Sequence, residues 1–136
     1  MKSRIIVGAI IEKDGKLLFG KKKKDIGPYP NTLVIIGGGA RLETETIEDA
    51  IKREIVEEAN IKIKNLKRLS FDEDYEPNKY GQMSHLVFLV FKAEYESGKP
   101  TPGDDIVELI WLEKKDLSKY QLARPTVKLF KELKWL

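Results

Sequence analysis

The order of apolar and amphipathic segments in this chain predicts an α/β fold, an α/β/α sandwich with a mixed parallel and antiparallel sheet between helices. Strand-like segments precede and follow an amphipathic helix at about residues 47–59, and a second amphipathic segment, 125–133, comes last. The run Leu86–Phe91 is apolar throughout, which indicates a strand covered on both faces. With 136 residues, 41% of them hydrophobic, the chain is expected to form a single domain over 1–136.

The first two strands are predicted to form a hairpin. Arg4–Glu12 and Leu17–Lys21 are apolar runs on either side of Asp14-Gly15, a dipeptide typical of tight hairpin turns. Residues 21–31 follow with four consecutive lysines, two prolines and a glycine, so we expect a loop there. The lysines have two interpretations. They are a solvated loop, or one or two of them, Lys21 and Lys23, contact a substrate phosphate.

A short strand and a glycine triplet come next. Thr32–Ile36 is apolar and β-branched, which predicts a buried strand. Gly37–Gly39 is predicted to end that strand in a turn with positive φ. Because glycine has no side chain, the backbone there is also expected to lie close to a ligand.

The predicted helix Ile47–Ala59 carries an unusual set of carboxylates. At about 100° per residue, Glu54 and Glu58 fall inside the apolar stripe, and Glu57 shares their edge of the helix. Like charges placed so close together beside a core repel one another and need a partner. A divalent cation that prefers oxygen ligands relieves that repulsion. The sequence therefore predicts a Mg²⁺ site, with Mn²⁺ as the alternative ion.

Both ends of this helix have capping signals. Thr46, with Asp49 three positions later, resembles a capping box at the N-terminus. Asn60 stands at the C-terminus, where a left-handed residue is favoured and asparagine is tolerated.

The second half of the chain is predicted to be mainly strand. Ile61–Phe71 is expected to enter a strand, and the acidic and aromatic segment Asp72–Gly81 is expected to be a long exposed hairpin connection that could cover a substrate. Met83–Tyr95 and Ile106–Leu112 are predicted strands, and Lys114–Tyr120 is predicted to contain a short helical turn. His85, the one histidine, has two open interpretations, a structural role or contact with substrate.

Composition excludes several classes of function. The 25 basic and 22 acidic residues give a mixed surface rather than a basic nucleic-acid interface. The absence of cysteine excludes disulfides, thiolate chemistry and zinc–cysteine sites. Ile5–Ile11 lacks the cleavage region of a signal peptide, and no uncharged run is long enough to cross a bilayer. We therefore expect a cytoplasmic protein without nucleic-acid or membrane partners.

The spacing of the helix residues resembles a known motif. Gly39, Glu45 and Arg53 are separated by five and seven residues and lead into Glu-Ile-Val-Glu-Glu-Ala-Asn-Ile at 54–61. This stretch resembles the Nudix box, G-x5-E-x7-R-E-U-x-E-E-x-G-U, in which U is bulky and aliphatic. Eight of the nine specified positions agree, and Asn60 replaces the last glycine at a helix cap. The resemblance implies a Nudix fold and metal-dependent hydrolysis of a phosphoanhydride.

The resemblance also implies roles for individual residues. Glu54, Glu57 and Glu58 would bind the metal, with the carbonyl of Gly38 as a further ligand and Gly38 and Gly39 beside the substrate. Arg53 would pair with Glu57 and Glu45 and hold the carboxylates in position. The metal would bridge the diphosphate while a carboxylate deprotonates the attacking water.

The identity of the general base stays open at this point. Glu54 is the candidate within the box, whereas Asp104, Asp105 and Glu108 are candidates from a later loop. Of these, Glu108 or Asp105 is the predicted additional metal ligand, with solvated loop charges as the alternative.

Substrate choice is predicted from shorter features. Tyr29-Pro30, Phe71–Asp74 and Tyr120–Leu122 with Thr126 are similar to Nudix nucleoside triphosphatases that act on pyrimidine deoxynucleotides. This likeness implies hydrolysis of a nucleoside triphosphate to the monophosphate and pyrophosphate. The alternatives are ADP-ribose or another nucleoside diphosphate derivative, and a non-catalytic nucleotide-binding regulatory domain. Because Nudix domains often dimerise, a homodimer is also an expectation.

Overall fold

A computed structural model describes all residues, 1–136. Its six strands are β1 (Ser3–Lys13), β2 (Lys16–Lys22), β3 (Leu33–Gly39), β4 (Lys62–Pro77), β5 (Met83–Ser97) and β6 (Ile106–Leu112). Its two α-helices are α1 (Ile47–Ala59) and α2 (Arg124–Glu132), and a 3₁₀ helix spans Lys114–Lys119. None of these helices has the length and apolar character needed to span a membrane.

All six strands belong to one mixed sheet with the order β4-β5-β1-β3-β2-β6. The neighbouring strands β1 and β5 run parallel, with Ile6 opposite Phe88. All other pairs are antiparallel. The predicted β1–β2 hairpin is present, but its strands pair only beside the turn, and β3 pairs with both strands further along.

Each face of the sheet is covered by a helix and its own apolar cluster. Val7 and Ala9 of β1 pack with Ile51 and Ile55 on the α1 side. The α2 side has a separate cluster drawn from the sheet, the 3₁₀ helix and α2, with Phe130 fully buried at its centre. Strand β5 contributes to both clusters, Phe91 to the first and Val90 to the second. The predicted α/β sandwich and the two-faced burial of β5 are therefore confirmed.

Helix α1 begins and ends where its capping signals predict. The backbone N–H of Asp49 donates to Thr46 Oγ1 at 3.1 Å, which satisfies one of the free N–H groups of the first turn. Asn60 takes the left-handed conformation with φ of 58°, and its N–H donates to the carbonyl of Val56. Both features stop the helix from extending, because neither residue has helical dihedral angles.

The glycine triplet is not the predicted turn. Gly37, Gly38 and Gly39 are the last residues of β3 and pair with β1, and none of them has positive φ. Glycine is needed here for a different reason. A Cβ on Gly37 would overlap the backbone of Val7, and one on Gly38 would overlap the carboxylate of Glu54. The triplet therefore allows close approach between elements rather than a change in chain direction.

The prediction of a long exposed connection at Asp72–Gly81 is also wrong. Strand β4 continues to Pro77, and only residues 78–82 connect it to β5. The backbone of the acidic residues pairs with β5, and two basic residues of α2 pair with their side chains. Asp72 contacts Lys128, and Asp74 and Glu76 contact Arg124. Alternation along β4 places these carboxylates on one face, so α2 and β4 neutralise each other.

Candidate active site

A cavity of about 660 Å³ extends between the edge of α1 and the face of the sheet that packs against α2. That volume is in the range of ordinary ligand pockets. We call the part of the lining around the α1 glutamates the charged end, and the remaining, mainly apolar part the apolar end. The charged end contains Arg4, Lys22, Lys23, Arg41, Glu54, Glu57, Glu58, Asp104 and Asp105, and two further charged residues, Asp72 and Lys79, also line the cavity. The apolar wall includes Tyr29, Val34, Ile35, Leu86, Phe88, Val90 and Leu129.

The three glutamates predicted from the helix pattern all line the charged end. Glu54 and Glu58 are only 7% and 8% exposed, whereas Glu57 is exposed. Burial raises the pKa of Glu54, although Arg53 opposes the shift. Burial, reinforced by the negative charge of Glu54, raises the pKa of Glu58 to about 8. Two buried carboxylates so close together resist ionisation until a cation joins them.

Arg53 connects the carboxylates of this end. Its Nε and Nη2 donate to the two carboxylate oxygens of Glu45 at 2.9 and 2.6 Å. Its Nη1 donates to Glu54 at 2.8 Å and to Glu57 at 3.0 Å, and Nη2 also donates to the carbonyl of Gly39 at 3.1 Å. Hydrogen bonds from Arg53 lower the pKa of Glu45 to about 2. The contacts expected between Arg53 and both Glu57 and Glu45 are present, and this planar, fully used guanidinium holds the side chains in fixed positions.

Of the three carboxylates from the later loop, the structure places two in the cavity and one outside it. Asp104 and Asp105 line the cavity, and their negative charges contribute to the raised pKa of Glu58. The ammonium group of Lys22 lies 3.8 Å from Asp105 and acts on Glu58 in the opposite direction. Glu108 lies exposed on β6 and does not line the cavity. The structure therefore brings Asp104 and Asp105, but not Glu108, to the helix glutamates.

The predicted substrate contacts are also divided. Gly38, Gly39 and Lys23 line the cavity. Lys21 does not, whereas its neighbour Lys22, the last residue of β2, does. Successive residues of a strand point to opposite faces, so a shift of one residue decides which lysine reaches the site.

His85 lies outside the cavity and is held by its own neighbours. Its Nδ1 is 2.9 Å from Ser3 Oγ, and its Nε2 is 2.6 Å from Glu73 Oε2. Its ring stacks on that of Tyr75 with centroids 4.8 Å apart. These contacts favour the structural interpretation over contact with substrate.

Sequence patterns missed several residues of the site. Arg4 lies on β1, and a Cβ added to Gly39 would meet its guanidinium at 2.7 Å. Arg41 lies in the loop after the glycine triplet, and the sequence did not distinguish Lys22 from the other lysines of the run. No local signal marks Arg4, because the pairing of β1 with β3 is what brings it to the glycines.

The apolar end is closed by a hydrogen-bonded contact between three segments. Tyr29 donates from its hydroxyl to Asp74 at 2.7 Å and from its backbone N–H to Glu76 at 3.1 Å. Arg124 of α2 donates to the same two carboxylates. Burial and the hydrogen bond to Asp74 raise the pKa of Tyr29 well above its usual range. This network joins the loop after β2 to β4 and to the start of α2.

The donor chemistry of the charged end fits a hard divalent cation. All candidate ligands are oxygen atoms, and two of the carboxylates are buried where an unpaired charge is costly. With Arg53 holding Glu54 and Glu57, no three acidic or histidine side chains surround a common point at ligand distance. Because Gly38 has no side chain, the carboxylate of Glu54 packs directly against its backbone.

A sheet between two helices, with a cavity lined by buried carboxylates and by basic side chains, has the features expected of a hydrolase that acts on a phosphorylated substrate. A family model described as the NUDIX domain matches residues 2–133. The chain belongs to the NUDIX family and is a hydrolase. This finding confirms the resemblance drawn from the box at 39–61 and the fold that it implies.

Curated relatives and solved structures resemble nearly the whole chain. The nucleoside triphosphatase NudI of Escherichia fergusonii is 29% identical over 134 residues, which cover 94% of this chain and 94% of the relative. NudI of Klebsiella pneumoniae is 28% identical over 132 residues and 93% of each chain. The crystal structure of a MutT NUDIX hydrolase from Burkholderia pseudomallei has a TM-score of 0.82 at 27% identity, covering 96% of this chain and 98% of its own.

Proposed function

We propose that this chain is a Mg²⁺-dependent enzyme that hydrolyses a nucleoside triphosphate to the monophosphate and pyrophosphate. The observation that carries the proposal is one cavity with buried carboxylates and basic side chains at one end and an apolar wall at the other. A nucleotide has the same division, with an anionic phosphate chain and a flat, largely apolar base. Relatives along the full length of the chain are named nucleoside triphosphatases, which supports the same substrate class.

The basic residues at the charged end have the role of holding the phosphate chain. Lys22, Lys23, Arg4 and Arg41 come from three different segments and all line this end. A triphosphate carries several negative charges, and repulsion from the neighbouring carboxylates would expel it without such partners. Arginine and lysine side chains form charge-assisted hydrogen bonds with phosphoryl oxygens and fix the chain for attack.

The oxygens of Glu54, Glu57, Glu58 and the Gly38 carbonyl would hold Mg²⁺, with Mn²⁺ as an alternative. Asp105 is a better candidate than Glu108 for an additional ligand, because it lines the cavity. A divalent ion in such a site lowers the pKa of water and offsets charge on the phosphoryl oxygens. Arg53 positions Glu54 and Glu57 and does not reach the substrate.

Glu54 is the proposed general base. Arg53 donates to its Oε1, whereas its Oε2 packs against Gly38 and accepts no hydrogen bond from the protein, and both residues line the cavity. As water attacks the phosphorus, Oε2 accepts the proton of the water. A bond forms between the water oxygen and the α-phosphorus, the bond to the bridging oxygen breaks, and pyrophosphate leaves with the electron pair. Asp104 and Asp105 remain alternative bases.

Metal binding and turnover test this proposal separately. Isothermal titration with Mg²⁺ should show binding to the native chain and a loss of at least about tenfold in affinity for Glu54→Gln and Glu58→Gln. Glu43→Gln is the matched control, because Glu43 is exposed and makes no ion pair or side-chain hydrogen bond. Unchanged affinity in the two helix variants would contradict the metal site.

Products identify the reaction. A screen of canonical and oxidised nucleoside triphosphates, ADP-ribose and dinucleoside polyphosphates with Mg²⁺ should give fastest turnover with a triphosphate and release pyrophosphate. Release of inorganic phosphate would place the attack at a different phosphorus. Turnover of ADP-ribose alone would favour the diphosphate-derivative alternative, and binding without turnover would favour a regulatory domain. Light scattering tests the proposed homodimer.

A further inference from the structure

Two polar side chains at the apolar end of the cavity have no part in the proposed reaction. Asp72 comes from β4 and Thr126 from the first turn of α2, and both line the cavity beside Leu129 and Val90. The remaining acidic residues on this face of β4, Asp74 and Glu76, are already bonded to Arg124. Asp72 and Thr126 therefore line the cavity from β4 and α2, outside the group of charged residues around the α1 glutamates.

Hydrogen bonds fix the orientation of the Asp72 carboxylate and leave one of its two oxygens without a partner. Oδ1 accepts hydrogen bonds from the Glu73 N–H and from Lys128 Nζ, both at 2.8 Å. Oδ2 has no protein donor. Partial burial acts to raise the pKa of Asp72, but the bonds from Lys128 and Glu73 outweigh it and lower the pKa below its usual range. An ionised carboxylate can only accept, so any group that pairs with Oδ2 must be a donor.

The hydroxyl of Thr126 is also without a protein partner. The residue is only 5% exposed, and its Oγ1 takes part in no hydrogen bond within the chain. Every side-chain polar atom that is wholly inaccessible in this protein has a partner. The Thr126 hydroxyl must therefore reach accessible space, and the accessible space that this buried residue lines is the cavity. We expect this hydroxyl to form a hydrogen bond with a bound ligand, because a buried hydroxyl without a hydrogen bond costs free energy.

We propose that Asp72 and Thr126 bind the base of the nucleotide, and that Asp72 selects it by accepting, at Oδ2, a hydrogen bond from an exocyclic amino group, as on cytosine. The inference rests on the proposed function and adds the choice of base to it. Uracil and thymine have a carbonyl oxygen where cytosine has its amino group. That oxygen would face an acceptor-only carboxylate, so these bases are disfavoured. The hydroxyl of Thr126 rotates and pairs with either a donor or an acceptor on the same edge.

Cytosine and uracil are the sharpest pair for the test, because they have nearly the same size and differ on this edge. The native chain should have a kcat/KM for dCTP at least about tenfold above that for dUTP. Asp72→Asn keeps the shape of the side chain and can turn either a donor or an acceptor toward the base, so the ratio should fall toward one. Glu73→Gln is the matched control, because Glu73 is the next residue on β4, is 62% exposed and lies outside the cavity. The ratio of kcat/KM for dCTP to kcat/KM for dUTP should be the same in Glu73→Gln as in the native chain.

A second pair of variants tests the hydroxyl independently of Asp72. Thr126→Val removes the hydroxyl with little change in volume and should raise KM for dCTP with a smaller effect on kcat. Thr126→Ser restores the hydroxyl and should recover the native KM. A purely structural role for Thr126 would give no such recovery. If Asp72→Asn does not fold, this pair still tests whether the base contacts this part of the cavity, and the relative binding of dCMP and dUMP to the native chain still tests the choice of base.

Binding of the monophosphates separates this inference from the proposed function. Titration with dCMP and dUMP measures base preference without any hydrolysis. Preferential binding of dCMP that is lost in Asp72→Asn supports the inference, even if no triphosphate is turned over and the proposed function fails. Equal binding of the two monophosphates, or a preference that Asp72→Asn leaves unchanged, overturns the inference even if triphosphates are hydrolysed.

Discussion

Replacing Glu58 by glutamine should stabilise the metal-free protein and remove its response to metal. Glu58 is 8% exposed, and burial beside Glu54 raises its pKa from 4.5 to about 8. At pH 7 the unfolded chain therefore has this carboxyl ionised, whereas the folded chain keeps it mainly protonated. Folding of the native chain at pH 7 therefore includes the free-energy cost of protonating Glu58, whereas folding of the glutamine variant does not.

The size of the effect follows from the difference in pKa. Between the unfolded pKa of 4.5 and pH 7 lie about 2.5 pH units, each equivalent to about 1.4 kcal/mol, so Glu58→Gln should gain up to about 3 kcal/mol at pH 7. For a chain of this length that corresponds to a rise in Tm of about 10 °C. The sign depends on pH. Because the folded pKa is the higher one, the native chain loses this stability as pH rises from 4.5 toward 8. The advantage of the variant should therefore vanish near pH 4.5.

Thermal unfolding in EDTA at pH 4.5, 6 and 7.5 measures the difference between native and variant chains at each pH. Glu43→Gln is the control for loss of a surface charge. Addition of Mg²⁺ at pH 7.5 should raise the Tm of the native chain and have little effect on Glu58→Gln, because the metal pairs with the ionised carboxylate. An equal Tm for both chains at pH 7.5 in EDTA, or a gain that does not change with pH, would refute the reasoning.

Three further predictions concern the same helix and its surroundings. Thr46→Ala should lower the free energy of unfolding by about 1 kcal/mol through loss of the N-cap, as measured by urea denaturation, and Thr46→Ser should not. Gly38→Ala should displace the carboxylate of Glu54 and weaken Mg²⁺ binding at least about tenfold, as measured by titration. Unchanged Mg²⁺ affinity would exclude the close approach of the Gly38 backbone to the Glu54 carboxylate. Arg53→Lys should lower kcat at least about tenfold with a smaller effect on KM, because lysine cannot bridge three carboxylates, and steady-state kinetics with wild-type values would exclude a positioning role.

Local patterns in the sequence predicted the elements whose residues interact within a few positions. The limits of α1 follow from its 3.6-residue apolar period together with Thr46 and Asn60, and the structure has the same limits. Strand β6, Ile106–Leu112, was also predicted with its observed limits. In both cases the information lies in the segment itself.

The failed predictions concern segments whose conformation depends on a distant partner. Gly37–Gly39 contains every local signal of a turn, but its pairing with β1 keeps it extended. Asp72–Pro77 has the composition of a loop, yet Arg124 and Lys128 of α2 neutralise its charges. The residues of β1 that pair with the glycines precede them by 29 or more positions, and α2 is further still from β4, so no short window along the chain could include both partners.

Within the candidate site, single residues were misplaced where strand register decides the outcome. The lysine run was recognised, but Lys22 rather than Lys21 lines the cavity, because neighbouring strand residues face opposite ways. The later carboxylates were recognised as a group, and only the fold separates Asp104 and Asp105 from Glu108.

The sequence by itself determined the helix with its three glutamates and Arg53, and therefore the oxygen-rich edge that we propose as the site for a divalent cation. Helical periodicity places those side chains on one edge whatever surrounds them. Only the tertiary structure decided what faces that edge. The positions of Lys22, Arg4 and the pair Asp72 and Thr126 depend on the order and register of strands and on the docking of α2. Those long-range contacts bring together residues far apart in the chain, and so the choice of substrate depends on the whole fold.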